Sequence, residues 1–330
     1  MIETPWFVLV GLCVAAVHVG AAASVRDARV RGLGWFFGIV LAVVGAEQIG
    51  QGMPTGLRAL VWADLLIGWL VLGFAAAATH TPRVLAVAVA LIATSLAGAL
   101  LGAFGIAFSF AVAAWIVVPV LEGFARRRFV RVQLLVVSAS VLGGLAHFLG
   151  YQQLAATALL CAGVLRAGVV PCHGWLTSLV DRAPCAISIA FLAPTLPLWP
   201  HVLGSIQVDP VGVMAIAAVL AVVAGVVGGL GSLVQRDARP ALAWLWSGQS
   251  ALALYAVLAG GSPGRDAGVL LAAVLSVSMA GSWAVLGGIE ARRGRLDLES
   301  GGVSGSPRAA ATFLLMGMAG AGMPATPGFV

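Results

Sequence analysis

Lysine is absent from this chain, and all 18 basic residues are arginine. Arginine stays protonated in proteins, whereas a buried lysine can lose its proton, so one common carrier of releasable charge is excluded. Charge of either sign is scarce at 9% of residues, where soluble domains carry about a quarter. Too few polar residues remain to cover a soluble surface, which rules out a water-soluble α/β enzyme and a disordered tail. The four cysteines, Cys13, Cys161, Cys172 and Cys185, show no CxxC spacing, which argues against a disulfide framework, a metal site or an iron–sulfur centre. No Walker-type loop and no GxGxxG fingerprint between a strand and a helix is found, so no nucleotide cofactor is expected.

What fills the sequence instead is apolar residues, 61% of the total, with a mean hydropathy of +1.06. A membrane helix needs about 20 such residues, and the 330 residues allow about a dozen spans. Twelve runs can be drawn, at 6–25, 33–50, 59–79, 84–102, 105–124, 132–150, 153–180, 186–203, 211–234, 240–259, 268–289 and 309–330. No basic stretch precedes the first run, Glu3 stands there instead, and the run is long. It is therefore expected to remain as a helix and not to be cleaved. The stretches around Gly261–Gly264 and Ser300–Pro307 read as connections.

Cytoplasmic loops collect positive charge. Fifteen arginines fall after odd-numbered runs, including Arg126, Arg127, Arg128 and Arg131, and only Arg58 and Arg265 fall after even-numbered ones. The asymmetry supports an N-terminus on the outer side and accounts for the basic isoelectric point without nucleic acid.

Two runs are irregular. The seventh is long for one crossing, holds Arg166 at its middle and continues into Val170-Pro171-Cys172-His173-Gly174-Trp175. Proline removes a helical N–H, so a break is expected between about Gly168 and His173. The eighth contains Pro194, Pro197 and Pro200, and the twelfth Pro324 and Pro327. Broken membrane helices occur where the freed backbone is buried in protein or lines a wet cavity.

An intramembrane charge costs on the order of 2.5–3.5 kcal/mol and marks a candidate site. Arg166 is the deepest and needs an acidic or carbonyl partner; Glu122 is the favoured carboxylate, although it also lies one helical turn from Arg126 and can reach that basic cluster. Glu47 and Asp64 fall at similar depth on neighbouring runs, where they share a proton, hold a cation or touch interfacial water. His147 reads as a proton carrier or an interhelical hydrogen bond. His173 follows the expected break directly.

Leu165-Arg166-Ala167-Gly168-Val169-Val170-Pro171-Cys172-His173-Gly174-Trp175-Leu176, with Arg182-Ala183-Pro184-Cys185-Ala186-Ile187-Ser188, resembles the K-x-A-x-x-P-F-H-x-W-L-P-D-A…APTPVS signature. That signature belongs to the antiporter-like membrane subunits of NADH-quinone oxidoreductase, membrane hydrogenases, multisubunit cation/proton antiporters and inorganic-carbon uptake systems. Arg239-Pro240-Ala241-Leu242-Ala243-Trp244 with Gln249 resembles the family's R-x-LAYSSxxQ run, and Gly322-Met323-Pro324-Ala325-Thr326-Pro327-Gly328-Phe329 resembles its LAGxPPTxGF motif. The resemblance implies an all-α polytopic membrane protein of about twelve helices, with inverted repeats and broken helices seven and twelve, the chain ending inside helix twelve. It divides the chain into initial helices over 1–103, the remainder of a first repeat over 104–208 and an incomplete second repeat over 209–330.

It also implies a proton path or gate at Arg166, His173, Glu122, Glu47, Asp64 and His147, with the broken helices marked by Pro171, Pro324 and Pro327. The departures are specific. The family's central lysine falls on Arg166, its helix-five glutamate on Ile116 after Trp115, and its helix-eight lysine has no counterpart among Pro194–Leu198. The implied function is a membrane subunit of an NADH-quinone-oxidoreductase-like complex, associated with proton translocation and at most a non-redox part of the enzyme. The alternatives are a non-pumping scaffold subunit and the membrane partner of an inorganic-carbon uptake system. Partners are other membrane subunits and the lipid bilayer, the location is the inner cell membrane, and no cofactor is expected.

The arginine distribution predicts that a cysteine placed at residue 127 is labelled by an impermeant thiol reagent from the cytoplasmic side only. Labelling from outside would invert the topology.

Overall fold

The computed structural model describes residues 55–75, 82–205, 213–259 and 261–296, with Ala311 and Leu314. Within them the chain is helical: α1 (Thr55–Ala75), α2 (Pro82–Val117), a 3-10 turn at Val118–Val120, α3 (Gly123–Phe148), α4 (Gln152–Ala167), α5 (Gly174–Arg182), α6 (Cys185–Leu192), α7 (Thr195–Ser205), α8 (Val213–Leu233), α9 (Ala238–Ala259) and α10 (Gly261–Arg293). Five of the described helical stretches are long and apolar enough to cross a membrane. The runs at 6–25 and 33–50, and 309–330 apart from Ala311 and Leu314, lie outside the described residues, as do Glu47, Pro324 and Pro327.

The expected runs 84–102 and 105–124 fall in the single element α2. A Cβ added to Gly98 would lie 2.7 Å from Ser109 Cβ and 3.2 Å from the Gly105 carbonyl oxygen. Residues eleven apart in a straight helix are separated by about 16 Å, so α2 doubles back on itself. Two other expectations are corrected. Helix α3 starts at Gly123, not near 132, which puts Arg126, Arg127, Arg128 and Arg131 on its exposed first turns instead of in a loop. The Gly261–Gly264 stretch, expected as a connection, is the first turn of α10.

Burial sorts the helices. The window covering α6 and α7 is 94% buried, whereas that of α8 is 17% buried, so α6 and α7 form the centre and α8 the rim. Helix α8 is apolar all round and leaves Ile216, Val219, Leu220 and Val223 exposed, as a lipid-facing membrane helix does. Three interior serines satisfy their hydroxyls within their own helices: Ser140, Ser276 and Ser282 donate to the carbonyls of Val136, Ala272 and Ser278, each one turn earlier.

Small residues set the closest packing, because membrane helices gain little from hydrophobic exclusion and depend on van der Waals fit. At the α8–α9 crossing a Cβ on Gly228 would lie 2.6 Å from both the Cα and the N of Gly248. Backbone there touches backbone, and neither helix can yield locally. A Cβ on the adjacent Gly229 meets nothing within 4 Å. Gly228→Ala is accordingly expected to lower the thermal stability of the purified protein by about 1–3 kcal/mol through overpacking, while Gly229→Ala leaves the melting temperature unchanged or raised. Equal melting curves for the two variants would show that the crossing is loose.

Candidate functional site around the broken helix

The seventh expected run is two helices, α4 and α5, separated by non-helical Gly168–His173. Gly168 ends α4 with φ 65° and ψ 36°, a left-handed conformation that favours glycine. The Gly168 N–H donates to Leu165 O and the Val169 N–H to Val164 O, the Schellman arrangement that closes a helix on its own last carbonyls. The Trp175 indole Nε1 donates to Leu165 O at 3.0 Å, and Ser247 Oγ on α9 donates to Gly168 O at 2.6 Å. The break is thus satisfied by a side chain of α5 and one of α9. Pro171 is exposed at its outer edge.

Helix α9 holds the other end of α5 as well. Arg239 Nη1 donates to the carbonyls of Val180 (3.1 Å), Asp181 (3.4 Å) and Ala183 (3.1 Å). Its Nε and Nη2 reach Glu290 Oε2 on α10 at 2.8 and 2.7 Å. Ser247 and Arg239 are eight residues apart, about 12 Å along α9, close to the length of about 13 Å of α5. A second pair, Arg295 Nη2 to Asp181 Oδ1 at 2.7 Å, is more exposed.

Arg166, in the last turn of α4, is fully buried. Its Nη1 donates to Gln133 Oε1 on α3 at 2.8 Å and its Nη2 to Phe191 O on α6 at 3.3 Å. Its Cζ lies 3.4 Å from the Phe191 ring centroid and 5.1 Å from that of Phe110. Two hydrogen bonds and two aromatic faces therefore receive the charge. The favoured partner Glu122 is not among them. Glu122 precedes the first residue of α3 and is exposed; Gln133 lies eleven residues further along, about 16 Å deeper, at the level of Arg166.

His173 stands at the N-terminus of α5, with its ring 3.9 Å from that of Trp244 and its Nδ1 buried without a partner. The Arg128 guanidinium fills the space a side chain at Gly174 would take, so one member of the basic cluster reaches the break. His147 Nδ1 lies 3.1 Å from Gln152 Oε1, tying the end of α3 to the start of α4. Asp64 is fully buried on α1, which of its three readings fits contact with interfacial water least. Sequence reasoning overlooked Gln133, Ser247 and Glu290 because it surveyed charges deep in apolar runs; Gln133 was detectable as a lone amide among the apolar residues of α3.

The described helices thus form a membrane-type bundle with a capped break and a buried cation beside it. The chain belongs to the NADH:quinone oxidoreductase/Mrp antiporter transmembrane family, whose model matches residues 60–330. A search of curated protein sequences finds no match. Among solved structures, it is similar to a chain of the Mrp complex from Dietzia sp. DQ12-45-1b, with TM-score 0.71, 18% identity, and coverage of 97% of this chain and 70% of that one. It is similar to a chain of the membrane-bound sulfane sulfur reductase, an archaeal respiratory membrane complex, with TM-score 0.71, 13% identity and coverage of 98% and 79%. It is also similar to a chain of respiratory complex I from Thermus thermophilus, with TM-score 0.68, 15% identity and coverage of 97% and 80%. At these identities the likeness is one of fold.

The geometry predicts which neutral residue matters. Gln133→Leu removes an acceptor from a buried guanidinium and is expected to lower thermal stability by about 1–3 kcal/mol, whereas Glu122→Gln stays within about 0.5 kcal/mol of wild type. A double-mutant cycle with Arg166→Met checks this: coupling to Gln133 and none to Glu122 is the expected result, and the reverse would reinstate the carboxylate.

Proposed function

We propose that this chain is a membrane subunit of an NADH-quinone-oxidoreductase-like complex, associated with proton translocation, with no redox centre of its own and with other membrane subunits as partners. In this reading it lies in the inner cell membrane with its N-terminus outside, residues 104–208 are the remainder of a first repeat that opens within 1–103, and residues 209–330 belong to the second. The observation that carries it is Arg166, a fully buried charge placed one turn before a break whose carbonyls are capped. Charges are kept inside membranes where they serve ion paths or gates. The electron chemistry belongs to partner subunits, since the sequence offers no flavin, nicotinamide or metal motif.

One observation favours a second reading, a non-pumping scaffold or gate. The charge in the last turn before the break is a guanidinium, which does not release its proton, and its hydrogen-bond acceptors are an amide and a peptide carbonyl. A fixed charge of that kind repels cations. Proteoliposomes holding a trapped pH dye, with proton entry driven by a potassium diffusion potential, separate the two. Translocation predicts acidification by wild type and an altered rate in Arg166→Met. A wild type that stays tight while Arg166→Met leaks establishes the gate, and tight vesicles for both establish the scaffold.

A further inference from the structure

The two faces of α3 carry different chemistry. At 3.6 residues per turn, Arg127, Arg131, Leu134, Ser138 and Leu145 fall within an arc of about 60°, and all of them are exposed. The opposite face, with Phe129, Gln133, Val136 and Ser140, is buried against the bundle and holds Arg166. Leu135, Leu142 and Phe148 widen the exposed strip, which is apolar apart from Ser138. From Leu134 to Phe148 it runs about 21 Å, longer than the roughly 15 Å that the acyl chains of one leaflet occupy. It faces lipid, since α3 is one of the helices long and apolar enough to cross a membrane.

At one end of that strip stand two guanidiniums, Arg127 and Arg131, one turn apart. The first turn of α3 carries no acidic residue, and among the described residues neither arginine has an ion-pair or hydrogen-bond partner. Like charges at that spacing repel each other, so the pair fits an anion from outside the chain. Arg128 is turned elsewhere, its guanidinium lying over Gly174 at the start of α5. Trp115, near the end of α2, and Phe124, at the start of α3, are both exposed, and exposed aromatic side chains at the end of a span mark the level of the lipid headgroups. Membrane orientation asks only for positive charge on one side. It does not ask for two arginines in register with an apolar strip.

We infer that the outward face of α3 is a binding site for an anionic phospholipid, with its phosphate held by Arg127 and Arg131 and its acyl chains lying on Leu134, Leu135, Leu142 and Leu145. Guanidinium forks match phosphate oxygens in pairs. The order of a lipid, phosphate and then hydrocarbon, is the order of Arg131 and Leu134 along the helix. An acidic segment of a partner subunit satisfies the charge but leaves the strip below it unexplained. Anionic lipids give the cytoplasmic leaflet its negative potential, and that is the side to which the arginine distribution assigns these residues. The site needs only a membrane-embedded chain, so it holds whether or not the chain conducts protons. A lipid seated there lies next to Arg128, the member of the cluster that reaches the break.

Photolabelling of the full chain in lipid nanodiscs tests the site. A phosphatidylglycerol probe with a diazirine on one acyl chain is expected to label the Leu134–Leu145 segment several-fold more than the lipid-facing α8, while a phosphatidylcholine probe with the same chains labels both alike. That comparison needs no variant, so it stands even if one fails to fold. Arg127→Gln with Arg131→Gln should bring α3 labelling down to the α8 level and weaken phosphatidylglycerol binding by at least about tenfold. Arg126→Gln with Arg182→Gln removes the same charge and should leave the labelling unchanged. Equal labelling of α3 and α8 by the phosphatidylglycerol probe in wild type overturns the proposal. So does an equal loss in both variant pairs, which reduces the effect to net charge. Displacement of the probe by excess inorganic phosphate as readily as by unlabelled phosphatidylglycerol overturns it too, because the apolar strip then contributes nothing.

Discussion

A helix that breaks inside a bilayer has no water with which to replace its lost hydrogen bonds, and each orphaned group costs several kcal/mol. Most of the architecture around α4 and α5 answers that demand. Gly168 adopts a left-handed conformation so that α4 can close on the Val164 and Leu165 carbonyls. Trp175 and Ser247 then supply the donors that the backbone itself lacks. Since Ser247 belongs to α9, the break fixes where α9 must run. Because α9 packs through Gly248 on Gly228, it fixes α8 as well. The interior thus propagates outward from one set of carbonyls.

The short helix α5 is too brief to be stable alone, as isolated helices of that length are marginal even in water. Arg239 gathers three carbonyls from its C-terminal end and balances the resulting charge on Glu290. Glu290 side-chain exposure is 9% against 36% for Asp181, the acid of the neighbouring pair. Exposed pairs contribute about 0–1 kcal/mol, whereas breaking a well-buried one costs about 3–5 kcal/mol. The bond to Glu290 is therefore the one that holds α5, α9 and α10 together, and the Arg295–Asp181 pair adds little.

Local chemistry made part of this legible in the sequence. Pro171 after a glycine announced the break, and Gly168 to His173 is where the helix is interrupted, because proline and left-handed glycine act on the backbone within a few residues. Long-range partners did not show. Arg239 read as the head of a family-like run with no partner attached, and only the approach of α5 and α10 reveals what its fork grips. Arg166 announced itself as a buried charge needing an acidic or carbonyl partner; Phe191 supplies the carbonyl, whereas the place given to Glu122 as the favoured carboxylate is taken by the amide of Gln133. Asp64 stayed open between a shared proton, a bound cation and interfacial water because hydropathy gives depth along a span and not what packs around it. The twelve runs were drawn by apolar length alone, which separates the arms of α2 but misplaces the start of α3, since arginines on a helix's first turns look like a loop.

The choice of partners around Arg166 has an electrostatic consequence. A carboxylate would have cancelled the charge, whereas Gln133 and the Phe191 carbonyl solvate it and leave it in place. A cation about 5 Å from the guanidinium meets a repulsion of about 3 kcal/mol at an effective dielectric constant of about 20. The attraction of the aromatic faces, about 0.5–2 kcal/mol each, holds the guanidinium itself rather than any passing ion. Moving it aside means giving up the Gln133 bond, the Phe191 bond and the close stacking together, since Phe191 supplies both a carbonyl and a ring. Where a lysine could relieve the repulsion by releasing its proton, arginine has only displacement available. How far the charge can be displaced depends on how firmly α3 and α6 grip it, and that grip comes from packing, with Phe191 fully buried against Phe129 and Trp175.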